Sequence, residues 1–236
     1  MAVAFSSDDK IIGSTGWWKP KLWKIDGSWQ MTLEQDDGSS TIAFSRDGQM
    51  IATQIRNIVK LWNIDGTWLR DIKTNTDNTD NNIWCISFSP DSQTLASASD
   101  DGTVKLWNTN GSLQKTLYGH RAKVGAARFS PNGQILASAS NDGTVKLWKL
   151  GGTPLRILGD HTRIVYTVRF SPDGAIFTTS GHGGVNRWKL DGTLLKTEKI
   201  HNGPISTLEF GSNGMMVTTC GDKSIRLWNS DGSLLA

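Results

Sequence analysis

Phenylalanine returns at Phe5, Phe44, Phe88, Phe129, Phe170 and Phe210, at intervals of 39, 44, 41, 41 and 40 residues. Tryptophan keeps the same beat at Trp23, Trp62, Trp107, Trp148, Trp188 and Trp228, spaced 39, 45, 41, 40 and 40, so each phenylalanine precedes its tryptophan by 18 or 19 residues. Two aromatic series in phase mean six copies of one structural unit. A unit of about 40 residues cannot bury its own faces and is stable only beside its neighbours. The copies fall at residues 1–39, 40–79, 80–119, 120–160, 161–200 and 201–236 of a single 236-residue domain.

Within a copy the pattern is strand, turn, strand, turn. The fourth reads ARFS, PNGQ, ILASAS, NDG and TVKLW, with the alternation and β-branched content of half-buried strands. After each tryptophan stands a turn pair: Asp26-Gly27, Asp65-Gly66, Asn110-Gly111, Gly151-Gly152, Asp191-Gly192 and Asp231-Gly232. These tolerate the positive φ of a tight hairpin. A further apolar segment follows, such as Leu113 to Leu117, giving four antiparallel strands per copy. Radial stacking protects strand edges that an open array leaves exposed, so the expected fold is all-β, a β-propeller of six four-stranded blades.

The residues that fix a family are FSPDSQTLASASDDGTVKLW in the third copy, FSPNGQILASASNDGTVKLW in the fourth, and the Gly119-His120 pair. The chain resembles the WD-repeat family over essentially its whole length. The Trp-Asp dipeptide of that family is replaced, since Lys24, Asn63, Asn108, Lys149, Lys189 and Asn229 follow the tryptophans. Repeats of this regularity also resemble bacterial, especially cyanobacterial, proteins in which a propeller is joined to a signalling or nucleotide-hydrolysing module, and no residues here show such a module.

The resemblance implies a buried hydrogen-bonded tetrad of Asp, His, Ser or Thr, and Trp in each blade. By position it maps to His120, Ser138, Asp142 and Trp148 in the fourth copy and to His201, Thr218, Asp222 and Trp228 in the sixth. The fifth has His161, Thr178 and Trp188, with His182 in the aspartate position. The third has Ser97, Asp101 and Trp107, with Thr79 where the histidine belongs. Copies one and two carry Trp17 and Arg56 at the aspartate position, and no histidine stands nine before Phe44, so their packing is expected to rest on apolar contacts. Ser, His and Asp together suggest a hydrolase, but a nucleophile needs an exposed position beside an oxyanion site. A set that recurs with a fixed tryptophan reads as architecture, so no residue is assigned as catalytic.

In the family the loop face commonly binds partners. Trp84 and Tyr166, four before their phenylalanines, are expected near the channel mouth on that face, as large aromatics with a polar handle that anchor interfaces. Arg121, Lys123 and Arg163, with Asp100 and Asn141, would add a mixed-charge rim suited to an acidic or polar peptide. Trp17-Trp18-Lys19-Pro20 replaces the usual turn of the first copy, and two adjacent tryptophans there are a sticky spot or a cover at the seam. Thr74 to Asn82, TNTDNTDNN, reads as a mobile surface loop.

Other functions find little support. The first-strand residues one and three before each phenylalanine include one carboxylate, Glu209, too few for a metal site or a carboxylate pair. No phosphate loop and no zinc spacing is present, so neither cofactor nor metal is expected. A net charge of +3 without a clustered basic stretch argues against nucleic acid, and no apolar run reaches the roughly 20 residues of a membrane helix. Cys85 and Cys220 read as small buried hydrophobes, and the lack of a signal peptide suggests the cytoplasm. The expected role is a non-catalytic scaffold for protein partners, with a glycan- or small-ligand-binding propeller as the alternative through Trp17, Trp18 and Trp84. The chain starts in a first strand and stops in a clipped fourth one. Either six blades close by face packing alone, as a monomer, which is the favoured expectation because open faces would expose large apolar areas, or the chain is part of a larger ring, an open arc or a ring completed by a second chain.

Overall fold

A computed structural model describes residues 2–74, 81–159 and 164–235, with side chains at all of them except 182, 183, 199, 200 and 202. Every helix or strand among the described residues is a β-strand. The chain divides into two compact units, Met1–Tyr118 and Gly119–Ala236. Its fold class is the all-β propeller, with three antiparallel blades in each unit.

In the first unit, blade one is β1 (Ala2–Phe5), β2 (Ile11–Thr15), β3 (Lys21–Lys24) and β4 (Trp29–Thr32). Blade two is β5 (Ile42–Phe44), β6 (Met50–Ile55), β7 (Ile58–Asn63) and β8 (Trp68–Lys73). Blade three is β9 (Ile83–Phe88), β10 (Thr94–Ser99), β11 (Val104–Asn108) and β12 (Leu113–Leu117). Each is a meander in which consecutive strands pair.

In the second unit, blade four is β13 (Val124–Phe129), β14 (Ile135–Ser140), β15 (Val145–Lys149) and β16 (Pro154–Leu158). Blade five is β17 (Val165–Phe170), both halves of the long β18 (Ile176–Lys189), and the first part of β19 (Leu194–Phe210). Phe177 and Trp188, from the two halves of β18, stack with ring centroids 6.2 Å apart. The end of β19 opens blade six, which continues through β20 (Met216–Cys220) and β21 (Ile225–Trp228). Its fourth strand is reduced to one bridge, Trp228 to Leu234.

The composition of each strand follows from its place in the blade. Strand two is buried along its whole length in blade three, TLASAS, where alternating Ala and Ser let neighbours approach on both faces. The hairpins between strands three and four differ from a two-residue turn. Gly66 N–H closes a turn on Asn63 at 2.9 Å, and Gly66 alone takes a positive φ of 85°. The ladder then slips between Leu61 and Trp62, so Trp62 faces Trp68. This is a three-residue loop ending in a glycine bulge.

Each blade has a front, carrying the phenylalanine and the tryptophan, and a back, carrying the residue before the tryptophan. Directly paired residues share a face, so Phe44, Ile51 and Trp62 lie together on the front of blade two. They pack on Leu22, Ala2, Ala4 and Met31 of blade one. The back of blade two, with Ala52, Val59 and Leu61, packs on Ile86, Phe88, Leu95 and Trp107 of blade three. In the second unit, Val185 of blade five joins Leu208, Phe210, Met216 and Trp228 of blade six.

Trp148 is 2% exposed. Trp148→Ala is expected to destabilise the chain by about 3–5 kcal/mol, as for a large core aromatic. Urea denaturation measures this, and a loss below about 1 kcal/mol would contradict the burial.

Candidate functional site

Blade four holds a complete polar ladder. The Trp148 indole N–H donates to Ser138 Oγ at 2.9 Å, and that oxygen lies 2.8 Å from His120 Nε2. His120 Nδ1 is 3.0 Å from Asp142 Oδ2, which also accepts the Arg121 backbone N–H at 2.9 Å. Burial lowers the affinity of His120 for a proton by more than Asp142 raises it, so the imidazole is held neutral. Burial would raise the Asp142 carboxyl, but the Thr144 hydroxyl, the Arg121 amide and His120 hold it well below the ordinary carboxylate range. The order Ser, His, Asp is that of a hydrolase. Ser138 is fully buried, however, and its oxygen already accepts the indole N–H, which leaves no approach for a substrate.

Blade six repeats the ladder. Trp228 donates to Thr218 Oγ1 at 3.1 Å, the same oxygen is 3.1 Å from His201 Nε2, and Asp222 is 3.3 Å from His201 Nδ1. Cys220 completes a set in which one donor atom each from His201, Cys220 and Asp222 lies within 4.8 Å of the others, a juxtaposition that residue spacing did not reveal. Both nitrogens of His201 are committed to ladder partners.

In blade five the indole of Trp188 donates to Thr179 Oγ1 at 2.9 Å, which corrects the assignment of Thr178. Counting ten back from Trp188 gives Thr178, as in blade four. Its strand two–three hairpin is one residue shorter, and Trp188 stacks on Phe177, seven after Phe170. The face of the tryptophan therefore carries Thr179. The Thr178 hydroxyl is buried with no hydrogen-bond partner. His161 lies outside the described residues, as does the side chain of His182.

The first three blades keep more of the ladder than the sequence suggests. In blade three Trp107 donates to Ser97 at 3.0 Å, and Asp101 caps the turn through Thr103, with Lys105 Nζ 3.7 Å away. Thr79 lies outside the described residues, as does most of the Thr74 to Asn82 segment. Blades one and two do not rest on apolar contacts alone. Trp23 donates to Ser14 at 2.8 Å and Trp62 to Thr53 at 2.9 Å. The Thr53 hydroxyl in turn donates to Gln35 Oε1 at 2.8 Å, and Gln35 stands nine before Phe44, in the histidine position. That spacing was the available signal.

The aspartate position of blades one and two serves another purpose. Trp17 and Arg56, six before their tryptophans, line an open cleft of about 470 Å³ in the first unit. Gly16, Asp37, Gly38, Ser39, Ser40, Gln54, Asn82, Ile83 and Trp84 complete its walls. Gln54 Nε2 ties two of its loops together, donating to Ser40 at 2.8 Å and to the Ile83 carbonyl at 2.9 Å. Trp84 is half exposed, and its indole N–H donates to Asp100 at 2.6 Å, which fixes the ring against the wall. A Cβ at Gly38 would sit 2.3 Å from the Gly16 carbonyl oxygen, so only glycine lets this loop pass beneath Trp17. Arg56 is held at φ 53° at the tip of the β6–β7 hairpin, a strained conformation for a side-chain-bearing residue.

Trp17, Trp84 and Asp100 thus come together, and Trp18 stands beside them, 83% exposed, outside the lining. Tyr166, Arg121, Lys123 and Asn141 lie in the second unit, Arg121 exposed and the others partly buried, with Asn141 N–H on the Lys123 carbonyl. Arg163 lies outside the described residues. Glu209 is paired: Arg169 Nε donates to both its oxygens at 2.9 and 3.0 Å. Burial pushes the Glu209 carboxyl up, but the guanidinium outweighs it and holds the group ionised. Cys85 and Cys220 are free and buried. Among the described residues no helix is long and apolar enough to cross a membrane.

The family model described as WD domain, G-beta repeat matches residues 70–108, 111–149, 152–189 and 192–229, more than half of the chain. Each match ends on the residue after a ladder tryptophan and begins in, or in the turn just before, the fourth strand of the preceding blade. No curated protein matches the chain.

Two measurements check the ladders. Thr179→Val is expected to cost about 1–3 kcal/mol by orphaning a buried indole N–H, whereas Thr178→Val leaves stability unchanged or raises it; equal effects would place the ladder elsewhere. Since folding depresses the His120 pKa, stability is complete above the ordinary value of 6.5 and falls as the unfolded chain takes up its proton below it. Asp142, also depressed, adds a further loss below its ordinary 3.8. His120→Gln, copying Gln35, is expected to flatten the melting temperature between pH 6.5 and about 5 while keeping the lower-pH slope. An unaltered profile between those values would contradict a neutral buried His120.

Proposed function

Because the chain belongs to the WD domain, G-beta repeat family, we propose that it is a non-catalytic scaffold that holds an extended segment of a partner protein in the cleft of its first unit. The carrying observation is that the two residues in the ladder's aspartate position in blades one and two, Trp17 and Arg56, both line that cleft beside Trp84. Positions released from the internal ladder are there turned outward.

The chemistry suits a peptide. Two indoles offer rigid apolar contact at little entropic cost, and Arg56 and Asp37 present opposite charges for side chains or main chain. Gln54 holds the loops in place before binding, which reduces the ordering that association must supply. Two free buried cysteines suit a reducing compartment, and we place the protein in the cytoplasm; a sensing or assembly role in signalling rests on the resemblance to propellers joined to such modules.

Peptides selected from a random display library on the intact chain provide the test. Their Kd is expected to rise about tenfold or more in Trp84→Ala and in Arg56→Ala, with Trp18→Ala unchanged. Peptides that bind all three variants equally would move the site elsewhere. Sugar retention on a glycan array, lost in Trp17→Ala, would favour the glycan reading instead.

A further inference from the structure

Blades three, four and six share a turn contact that carries different chemistry in the last of them. The residue two after the ladder hydroxyl is Ser99, Ser140 and Cys220, and each accepts the backbone N–H of the aspartate two positions on, at 3.4, 3.1 and 3.5 Å. Ser140 also spends its proton, which faces the Ala122 and Lys123 carbonyls at 3.0 and 2.9 Å. A thiol is a weak hydrogen-bonding group, but once deprotonated it is a strong ligand for a borderline-soft metal ion. Serine serves this turn in two blades, so cysteine brings to the third a donor that the turn does not require.

Two other ligand types stand beside that thiol. His201 Nδ1 is 3.3 Å from Asp222 Oδ2, and the Cys220 sulfur completes a set whose atoms all lie within 4.8 Å of one another. A tetrahedral zinc ion holds nitrogen and oxygen ligands about 3.3–3.4 Å apart and a thiolate about 3.5 Å from either, so the set closes with displacements of about 1 Å. The ligands are already oriented. His201 Nε2 faces Thr218 Oγ1 at 3.1 Å, and Asp222 Oδ1 accepts the Ser224 N–H at 3.0 Å and its hydroxyl at 2.5 Å while Oδ2 faces His201. Outer partners of this kind fix the ring and the carboxylate of a metal site. The His201 side chain and Cys220 are buried, whereas the Asp222 side chain is 20% exposed and gives an ion a way in from solvent. Gly203 leaves room beside the thiol, since a Cβ there would lie 3.5 Å from both Cys220 Sγ and the Asp222 amide nitrogen.

We infer that blade six binds one divalent zinc ion through His201 Nδ1, Cys220 Sγ and Asp222 Oδ2. The ion takes the place of the proton between His201 and Asp222 in the ladder. His201 then ligates as the neutral imidazole, with its remaining proton on Nε2 and donated to Thr218 Oγ1, whose second lone pair keeps the Trp228 indole N–H. The thiol binds as thiolate and releases one proton to solvent. Three protein ligands leave a fourth tetrahedral position for water, on the side where Asp222 reaches solvent. Blade four supplies an internal control: His120 and Asp142 have the same arrangement there, but Ser140 offers no thiolate. The site does not depend on the cleft of the first unit.

Cobalt(II), a spectroscopic stand-in for zinc, tests this when titrated into the full reduced chain. One equivalent is expected to produce the near-ultraviolet absorption of a thiolate–cobalt bond, and added zinc to discharge it. Cys220→Ser, which copies Ser140 of blade four, is expected to abolish the absorption and to weaken zinc binding about tenfold or more, with the β-sheet circular dichroism unchanged. Asp222→Asn is expected to weaken zinc about tenfold, and Cys85→Ser to leave both readings as in wild type. Should Cys220→Ser lose its fold, mass-mapped alkylation of wild type replaces it, and zinc is expected to slow modification of Cys220 more than that of Cys85. Absence of the absorption in wild type, its survival in Cys220→Ser, its loss in a folded Cys85→Ser, or alkylation of Cys220 that zinc does not slow would each overturn the proposal.

Discussion

In all six blades the indole N–H of one tryptophan donates to a hydroxyl on the neighbouring strand, at 2.8–3.1 Å. The bond matters because the tryptophan is the largest side chain on the blade's front, and burying it also buries a donor that must be paired. The hydroxyl lies on strand two, across from the residue two before the tryptophan. A slip of one residue would turn it to the other face, so the bond fixes the register of the central strands. It thereby fixes which residues the front and back present. The apolar junctions between blades depend on that choice.

What lies beyond the hydroxyl is replaceable. Blades four and six use histidine and aspartate, and blade two uses Gln35 as acceptor. Blade three places Lys105 beside Asp101, its Nζ on the Thr74 carbonyl. The outer part of the ladder therefore ties down the hairpin between strands two and three without defining the fold. Where that tie is absent, in blades one and two, the hairpins carry Trp17 and Arg56 and shape the cleft.

The blade count, the four-strand pattern and the full ladders of blades four and six were legible because they rest on residue types at constant spacing. His120, Ser138, Asp142 and Trp148 fall where counting puts them. Thr178 was misassigned because counting from the tryptophan and counting from the phenylalanine disagree by one residue in blade five, and the shortening sits in the hairpin between them. Gln35 was overlooked because a search for histidine ignores an amide with the same acceptor role. The cleft was only half visible: Trp17 and Trp84 stand out as unusual residues, but Gly38, Gln54 and Arg56 gain meaning only once their loops converge.

By itself the sequence determined the repeating unit, since aromatic landmarks every forty or so residues mark stacked copies, the alternation and β-branched content between them mark strands, and local turn chemistry places the hairpins. Tertiary structure alone decided which of the exposed aromatics meet and which hydroxyl each indole takes. The physical reason is range. Strand alternation and turn preference act between residues near in the chain, whereas convergence of loops and coverage of a face depend on residues tens of positions apart, whose proximity no local pattern records.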